Sequence, residues 1–430
     1  MLIMNKKLNE LAKQNKSIKV AIVGAGKMGK GLVNQMSRIK GMIPGLVINR
    51  NGEKAINALL SAGIGREDIM VSNSINQINY YLEKGKYVVS EYADLAAKAN
   101  QIHAVVDATG VPEVGAKISL DSIKNGKHII MLNVEADSVV GPILYKYAKE
   151  AKVVYTGTAG DEPGAVMELY NFAVGLGFQV LAIGKGKNNP IDLEANPDTV
   201  YEKAQNKELK PHMLAGFIDG TNTMIEMTCM ANATGFVPDI RGGHGINSNI
   251  EDLTNILRLK KEGGILNKYG VVDYVKGIAP GVFAIFTTKL EEVHNQLEYL
   301  NMGSGPNYCL YRPYHLTSLE TPITIFEACV NNEATIAPTE GAIAETITIA
   351  KKDLKVGDRL DCIGGYTVYG SIEEHKMAKE QNLVPIGLIN ENTKVIKDIK
   401  KGEPITYDML ELDTNTNIYK LRQIQDKVIG

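Results

Sequence analysis

The stretch Ser17-Ile18-Lys19-Val20-Ala21-Ile22-Val23-Gly24-Ala25-Gly26-Lys27-Met28-Gly29 decides the fold of the amino-terminal part of the chain. An apolar strand over residues 17–23 leads directly into a Gly-x-Gly-x-x-Gly turn, and a helical pattern follows as far as Met36. In this setting the glycines allow a tight turn, the approach of a pyrophosphate and close packing of helix on strand. The N–H groups at the start of the helix face the anion. The pattern predicts a strand–turn–helix unit that binds a dinucleotide.

The end of the second predicted strand indicates which dinucleotide binds. Strand 45–48 ends at Asn49 and Arg50, about 20 residues past Gly29, where an acidic residue would hold the ribose of NAD. Neither residue is acidic, and an arginine pairs well with a 2′-phosphate, so NADP(H) is the expected cofactor. A solvated surface arginine is the alternative.

Two later strands end in small or polar residues. Residues 102–107 lead into Ala108-Thr109-Gly110, and residues 128–132 lead into Asn133 and Glu135. Ligands of an open parallel sheet lie at the carboxyl ends of its strands, so these groups are expected to line the nicotinamide, with simple capping as the alternative. The expected cofactor-binding residues are Gly24, Gly26, Lys27, Met28, Gly29, Asn49, Arg50, Ala108, Thr109, Gly110, Asn133 and Glu135.

Gly184-Lys185-Gly186-Lys187 follows the apolar strand 178–183. A lysine in a partly desolvated pocket donates a proton to a developing alkoxide or binds an anionic group of a substrate. Two lysines in a solvated turn are the alternative interpretation.

An acidic residue is embedded in the next apolar helix. Asp219 and Thr221 precede this helix, which runs to Ala233 and contains Glu226. A buried carboxylate needs a partner or a raised pKa, and a lysine from residues 184–187 is the expected partner. A purely structural ion pair is the alternative. The expected catalytic residues are Lys185, Lys187, Asp219 and Glu226.

Cationic and aromatic residues cluster at 311–315, before a predicted helix over 321–329. The start of a helix suits a phosphate or carboxylate, and a capping segment with a core tyrosine is the alternative. The expected substrate-binding residues are Arg312, His315 and Thr221.

Glycine loops at 241–245 and 301–306 are expected to act as lids. The chain has no His-Glu-x-x-His motif, so Glu135, Asp137 and Glu226 are the candidates for a hard cation, and a divalent metal is left open.

The last ninety residues contain an internal repeat. Lys352-Asp353-Leu354-Lys355-Val356-Gly357-Asp358-Arg359-Leu360 recurs as Lys397-Asp398-Ile399-Lys400-Lys401-Gly402-Glu403-Pro404-Ile405. Such similarity, together with short β-branched runs, predicts two copies of a small, mostly β unit. A catalytic constellation is not evident there, so an oligomerisation or lid role is expected.

Composition limits the class of protein. The 430 residues carry a formal net charge of −2 without a basic block, which argues against nucleic acid or a membrane surface as a partner. The four cysteines form no Cys-x-x-Cys pair, and the lysine-containing amino terminus lacks the features of a signal peptide, so a cytoplasmic protein is expected. No apolar run reaches the ~20 residues of a membrane span. A small molecule is the expected ligand.

The expected fold class is α/β, with three domains. They are a doubly wound Rossmann domain (1–155), a central α+β substrate domain (156–340) whose helix 321–330 packs back on the first, and a small β domain (341–430).

Motifs over nearly the whole length resemble those of the deoxyxylulose-5-phosphate reductoisomerase-like (DRL) proteins, a homoserine-dehydrogenase-like group that ends in a SAF domain. The matching stretches are 24–27, 107–110, 133–137, 184–186, 219–221, 225–227, 313–316 and the carboxyl-terminal repeat. Two departures are Asp219, where homoserine dehydrogenases have Asn, and Arg312, where a lysine is expected in these relatives.

The resemblance implies an NADPH-dependent oxidoreductase that interconverts an alcohol and a carbonyl group and forms a homo-oligomer, a dimer or a tetramer. In the named members it implies reductoisomerase chemistry on a sugar phosphate in isoprenoid biosynthesis. A semialdehyde reductase of the homoserine dehydrogenase type and a non-catalytic NADP(H) sensor are the alternatives. A sensor needs no titratable cluster, and an enzyme does.

Overall fold

The computed structural model describes residues 2–429, and the chain divides into two compact units. The first extends to Asp161 and also contains Leu316–Ala337 and Lys420–Val428. The second contains Glu162–His315 and Pro338–Tyr419. The terminal residues of the predicted outer domains, Met1 and Gly430, lie outside the described residues. The division into three domains stays a prediction, and the segment expected at 321–330 belongs to the first unit.

The first unit is built on a seven-stranded parallel sheet in the order β3-β4-β2-β1-β5-β6-β7. Its strands are β1 (Ile18–Val23), β2 (Met42–Ile48), β3 (Ile69–Val71), β4 (Tyr87–Ser90), β5 (Ala104–Asp107), β6 (His128–Met131) and β7 (Tyr155–Gly157). Its helices up to this point are α1 (Leu2–Lys13), α2 (Lys27–Met36), α3 (Gly52–Ser61), α4 (Ile75–Glu83), α5 (Leu95–Lys98), α6 (Pro112–Lys124) and α7 (Val134–Ala151). The strand order reverses at β1, and the α/β prediction is confirmed.

Strand β3 is a short strand at the edge of this sheet. The strand has three residues, and only Ile69 is fully buried. Such a short edge strand has no two-residue alternation that sequence analysis could detect.

A distant glutamine repairs the break that a proline causes in α7. Pro142 lies inside the helix, where its ring and missing N–H disturb the backbone ladder. The amide of Gln425 enters this gap: its Nε2 donates to the Val139 carbonyl at 3.0 Å, and its Oε1 accepts from the Ile143 N–H at 3.1 Å. These two backbone groups would pair with each other in an uninterrupted helix. Gln425 therefore satisfies two polar groups that are otherwise buried without partners.

The second unit contains a mixed sheet in the order β10-β11-β8-β12-β13, with β9 beside β11. Its strands are β8 (Gln179–Lys187), β9 (Val237–Pro238), β10 (Ile246–Asn247), β11 (Val271–Lys276), β12 (Val282–Thr287) and β13 (Asn307–Arg312). The accompanying helices are α8 (Glu162–Gly175), α9 (Tyr201–Asn206), α10 (Pro211–Ile218), α11 (Thr221–Thr234), α12 (Ile250–Ile256) and α13 (Glu291–Tyr299).

The two faces of this sheet have separate cores. Ile183 on β8 packs with residues of α8 and α11, whereas Ala182 packs with residues of α12 on the other face. This alternation continues along β8, so Lys185 and Lys187 lie on the same face as Ile183.

Gly184 and Gly186, which alternate with these lysines, are required by close packing of β8. A Cβ at Gly184 would lie 1.9 Å from the carbonyl oxygen of Asp273, and one at Gly186 would lie 2.5 Å from the backbone nitrogen of Ala279. Strand β8 therefore fits closely against its neighbours only with glycine at these two positions.

The remaining elements follow β13. They are α14 (Thr321–Phe326), β14 (Ala344–Ala350), β15 (Val368–Glu374), α15 (His375–Glu380), β16 (Lys394–Val395), β17 (Leu410–Glu411) and α16 (Asn417–Val428). Strands β14 and β15 form an antiparallel ladder of seven residue pairs. Within residues 2–429, no helix combines the length and apolar character that a membrane crossing needs.

The two copies of the repeat pair with each other in a nearly symmetric way. Leu354 and Ile399 exchange two backbone hydrogen bonds of 2.9 Å. Lys355 binds Asp398 at 2.7 Å, and in the reciprocal position Lys400 binds Asp353 at 3.1 Å. The repeat is thus a structural unit of two interlocked copies, as its sequence indicates.

We expect Gln425→Met to weaken the attachment of the carboxyl-terminal helix to α7 by about 2–4 kcal/mol, since it leaves one buried N–H and one buried carbonyl unpaired. Hydrogen exchange at the Ile143 amide is the direct measurement, and it should accelerate strongly. The control is Gln423→Met on the same helix, which should leave this amide protected. Equal protection of Ile143 in both variants would contradict the assignment.

Candidate active site

Lys185 lies at the centre of a buried charge cluster in the second unit. Its Nζ donates to Glu162 Oε1 at 2.7 Å and also binds Glu226 Oε2. Glu162 begins α8 and Glu226 lies in the middle of α11, so the two helices on this face of the sheet each supply one carboxylate. The lysine partner expected for Glu226 is therefore Lys185.

The cluster holds more carboxylate than ammonium, which determines its protonation. Burial disfavours the charged form of Lys185, but the carboxylates of Glu162 and Glu226 outweigh it and hold the pKa of Lys185 above its usual range. Burial, with the nearby Glu162 carboxylate, raises the pKa of Glu226 to about 7. Lys185 consequently stays charged, and Glu226 is the member of this pair that gains or loses a proton near neutral pH.

Lys187 lies on the same face but has a different environment. Its Nζ donates to the carbonyl of Phe217, in the last turn of α10, at 2.6 Å. Burial and the neighbouring Lys185 ammonium lower the pKa of Lys187 to about 8, against the opposing effect of the carboxylates of Glu226, Asp219 and Glu162. An ammonium with this pKa can donate its proton at neutral pH and be recharged quickly.

Arg312 is the last residue of β13 and His315 lies three residues later. The two side chains have different partners. His315 Nε2 lies 3.4 Å from Glu162 Oε1, which connects it to the lysine cluster. Arg312 Nη1 binds the exposed Glu168 at 2.8 Å, and its guanidinium stacks 4.6 Å above the ring of Tyr314.

The helix expected over 321–329 is shorter than predicted. α14 ends at Phe326, and Glu327–Asn331 form a π-helical turn. The anion site expected at the amino terminus of this helix stays a prediction.

Asp219 and Thr221 make contacts that the sequence did not predict, and their catalytic and substrate-binding roles stay predictions. Asp219 Oδ2 pairs with Lys351 at 2.8 Å, instead of Lys185 or Lys187, and its Oδ1 accepts from the Thr221 N–H at 2.9 Å. The Thr221 hydroxyl accepts from the Gly370 N–H at 2.8 Å and is fully buried. Both side chains thus hold elements of the fold together. Lys351 directly follows β14, a strand whose residues are all buried.

The loop 241–245 is anchored, in contrast to the lid expected there. Arg241 binds Glu373 at 2.6 Å, and the Asp273 carboxylate accepts from the N–H groups of His244 and Gly245. Asp273 is fully buried, so opening the loop would leave its carboxylate in the interior without these hydrogen-bond donors.

The glycine turn in the first unit matches the three roles expected of it. Gly24 has φ +102°, and a Cβ there would lie 2.6 Å from the Ala108 carbonyl oxygen. A Cβ at Gly29 would lie 1.8 Å from the Gly24 carbonyl oxygen, which leaves no room for a side chain between helix and turn. Gly26 has open space around its Cβ position, as the approach of a pyrophosphate requires. Lys27 begins α2, and Met28 is 37% exposed at this turn.

Asn49 and Arg50 differ in their availability. Asn49 Oδ1 accepts from the Ala25 N–H at 3.1 Å, and its Nδ2 donates to the Asn51 carbonyl at 2.9 Å, so it joins the ends of β1 and β2. Arg50 is exposed at the end of β2. Arg50 is thus an exposed cation at this edge of the sheet.

The ends of β5 and β6 are joined by a network around Asp107, which the site prediction omitted. Asp107 accepts from the Thr109 hydroxyl at 2.7 Å and from Asn133 Nδ2 at 2.8 Å. Asn133 Oδ1 accepts from the Ala136 N–H, which caps α7. Asn133 is fully buried, and its side chain is engaged within the fold. A buried aspartate at a strand end was the available signal for this network.

Glu135 is the half-buried carboxylate beside this network. Burial, with a contribution from the Asp107 carboxylate, raises the pKa of Glu135 to about 7. Gly110 has φ +63°, and a Cβ there would lie 3.9 Å from Glu135 Oε1. Of the other cation candidates, Asp137 accepts from the Tyr155 hydroxyl at 2.7 Å and Glu226 binds Lys185.

One family model matches the central part of the chain. Residues 160–321 match the family model "Oxidoreductase DRL, catalytic domain". This span contains Lys185, Lys187, Asp219 and Glu226, together with Arg312 and His315.

Similar solved structures are dehydrogenases. A probable dehydrogenase from Thermotoga maritima is 12% identical, with 75% of this chain and 92% of that chain covered and a TM-score of 0.43. The scyllo-inositol dehydrogenase from Lactobacillus casei, solved with NAD(H) and scyllo-inositol, is 13% identical, with 76% and 93% covered and a TM-score of 0.41. With its Rossmann-type domain and its match to an oxidoreductase catalytic domain, the chain is an NAD(P)-dependent oxidoreductase.

Proposed function

We propose that the protein uses NADPH to reduce a carbonyl of a small anionic substrate, a phosphorylated sugar or polyol, in a reaction resembling that of DRL-type 1-deoxy-D-xylulose 5-phosphate reductoisomerase. The observation that carries the proposal is the pair Lys185 and Lys187 on one face of β8. The two carboxylates hold the pKa of Lys185 above its usual range, whereas burial lowers the pKa of Lys187 to about 8. A protein that only senses the cofactor has no use for this arrangement.

Lys187 is the proton donor of the proposed reaction. The reduced nicotinamide, when bound, supplies a hydride to the carbonyl carbon. The carbonyl oxygen takes up a proton from the Lys187 ammonium as negative charge develops on it, so the products are the alcohol, the oxidised nicotinamide and a neutral Lys187 amine. Solvent then recharges the amine.

Lys185 and its two carboxylates have a supporting role. The fixed Lys185 charge lies beside Lys187 and favours a developing oxyanion over a neutral carbonyl. Glu162 and Glu226 keep this charge in place, and the His315 ring lies beside Glu162. Because these groups are buried, their interaction is weakly screened by solvent.

Arg50 is the residue proposed to select NADPH. A guanidinium binds a 2′-phosphate with charge-assisted hydrogen bonds, whereas a ribose hydroxyl gives it much less. The open position beside Gly26 supports the proposal that the pyrophosphate lies against the start of α2.

The experiment that tests the proposal follows NADPH oxidation at 340 nm with deoxyxylulose phosphate, aspartate semialdehyde and a set of tetrose and pentose phosphates. Reduction of a sugar phosphate would support it. Reduction of aspartate semialdehyde alone would favour the semialdehyde reductase, and tight NADPH binding without any turnover would favour the sensor.

With the active substrate, we expect Lys187→Met to reduce kcat by a factor of about 10²–10⁴, because the general acid is lost. NADPH binding, measured by fluorescence, should be unchanged. The matched control is Lys276→Met: Lys276 pairs in register with Lys187 on β11 but is exposed, so turnover should persist. A Lys187→Met enzyme as fast as this control would exclude Lys187 as the acid.

The kcat of the reduction should fall as the pH rises through about 8, because a neutral Lys187 amine cannot donate a proton. Below this pH the ammonium persists and this limb is flat. The Glu226 carboxylate raises the pKa of Lys187, so Glu226→Gln should move the fall to lower pH. The measurement is a pH profile of kcat for both proteins. A kcat that stays constant well into the alkaline range would contradict the assignment.

We expect Arg50→Ala to raise the Kd for NADPH by about tenfold, through loss of one charge-assisted contact, and to leave the Kd for NADH unchanged. Fluorescence titration with each cofactor measures this selectivity. Arg38→Ala, which changes an exposed arginine just beyond the end of α2, is the control. A parent protein that prefers NADH would refute the proposed role of Arg50.

A further inference from the structure

Lys351, at the end of β14, is buried together with three partners from other segments of the second unit. Its Nζ lies 2.8 Å from Asp219 Oδ2 and donates to the carbonyls of Ala195 at 2.6 Å and Gly365 at 2.8 Å. Only 3% of the Lys351 side chain is exposed, and the Asp219 side chain is inaccessible. The ammonium thus donates two hydrogen bonds to carbonyl groups and lies at ion-pair distance from the Asp219 carboxylate.

These contacts fix the last turn of α10. Asp219 directly follows the helix, and its second carboxylate oxygen accepts from the Thr221 N–H at the start of α11. Two residues before Asp219, the Phe217 carbonyl accepts the hydrogen bond of Lys187. A short path of contacts thus connects Lys351, through Asp219 and this helical turn, to the ammonium of Lys187.

The segment around Gly365 also packs against α10. Gly364 has φ +71°, and a Cβ there would lie 2.0 Å from the His212 carbonyl oxygen. The rings of His212 and Tyr366 meet edge to face at 6.5 Å. Lys351 therefore connects Asp219 to the loop around Gly365, and this loop also packs against α10.

The internal repeat shows that a lysine at this position is not required by the repeated unit itself. The residue of the second copy that corresponds to Lys351 is Ile396, which is 47% exposed, whereas Lys351 is buried with an acidic partner. The first copy thus departs from the second where it contacts Asp219.

We propose that Lys351 is a positioning residue, which holds the last turn of α10 so that the Phe217 carbonyl keeps the Lys187 ammonium in place. The inference rests on the proposed function of Lys187 as proton donor. Lys351 acts through structure, and the charged groups that act directly on Lys187 are Lys185, Glu226, Asp219 and Glu162.

The test measures the reactivity of the Lys187 amine by competitive acetylation with acetic anhydride across a pH series, read out by mass spectrometry. In Lys351→Met the turn loosens, Lys187 becomes better hydrated, and the midpoint of its labelling should rise by about one pH unit. Lys351→Arg retains a cation and should stay closer to the parent. Lys352→Met, at the exposed neighbouring residue, is the control and should match the parent.

A second variant covers the case in which Lys351→Met does not fold because it leaves Asp219 alone in the interior. Asp219→Asn combined with Lys351→Met removes both charges, which avoids an uncompensated buried charge. Because the Asp219 carboxylate itself raises the pKa of Lys187, the rise of the Lys187 midpoint is expected relative to Asp219→Asn alone. A folded Lys351→Met protein with the parent's midpoint, or a folded double variant with a midpoint no higher than that of Asp219→Asn, would overturn the proposal.

The labelling needs neither substrate nor cofactor, so its outcome is separate from that of the turnover assay. If Lys187→Met leaves turnover intact, the proposed function loses its acid, while the labelling still decides whether Lys351 positions Lys187. If Lys187 is the acid and Lys351 positions it, Lys351→Met should lower kcat about tenfold at the pH optimum and leave the KM for NADPH unchanged.

Discussion

The two-residue alternation of strand β8 is the constraint on which the proposed chemistry depends. Gly184 and Gly186 face neighbours that leave no room for a Cβ, and the same alternation turns Lys185 and Lys187 towards α8 and α11. Desolvating an ammonium is costly unless a carboxylate accompanies it. Lys185 receives two carboxylates, whereas the hydrogen bond of Lys187 goes to a neutral carbonyl. Two identical side chains, two residues apart, thereby acquire opposite pKa shifts.

Features of local origin could be predicted from the sequence. The glycine turn, its strand and its helix are consecutive in the chain, and the steric role of Gly29 is fixed by the Gly24 carbonyl only five residues away. The pairing of Glu226 with a lysine from β8 was also predictable. A carboxylate in an apolar helix requires a cationic partner, and the lysines at the end of a buried strand are candidates for it. The pairing of the two repeat copies was also predictable, since each copy carries a lysine and an aspartate that bind their counterparts in the other copy.

Features that arise from distant contacts were not predictable. Asp219 pairs with Lys351, and Gln425 fills the gap beside Pro142; neither pair has a periodic signature that links its members. The loop 241–245 was expected to be mobile because it is rich in glycine. Its mobility is instead limited by Asp273 and Glu373, which approach it from two later strands. Asn133 and Thr109 were correctly placed at strand ends, but the buried Asp107 that organises them was not recognised.

The position of Lys351 also gives the carboxyl-terminal segment (341–430) a proposed role near the candidate site. Sequence analysis assigned this segment no site residue, because its two copies look like structural repeats. A repeat forms its symmetric core from residues that both copies share, so a position at which the copies differ is free to serve something outside that core. Lys351 and Ile396 differ in this way, and Lys351 is the one that joins the turn holding Lys187. The segment that follows the matched catalytic span therefore completes the surroundings of the candidate proton donor within the second unit.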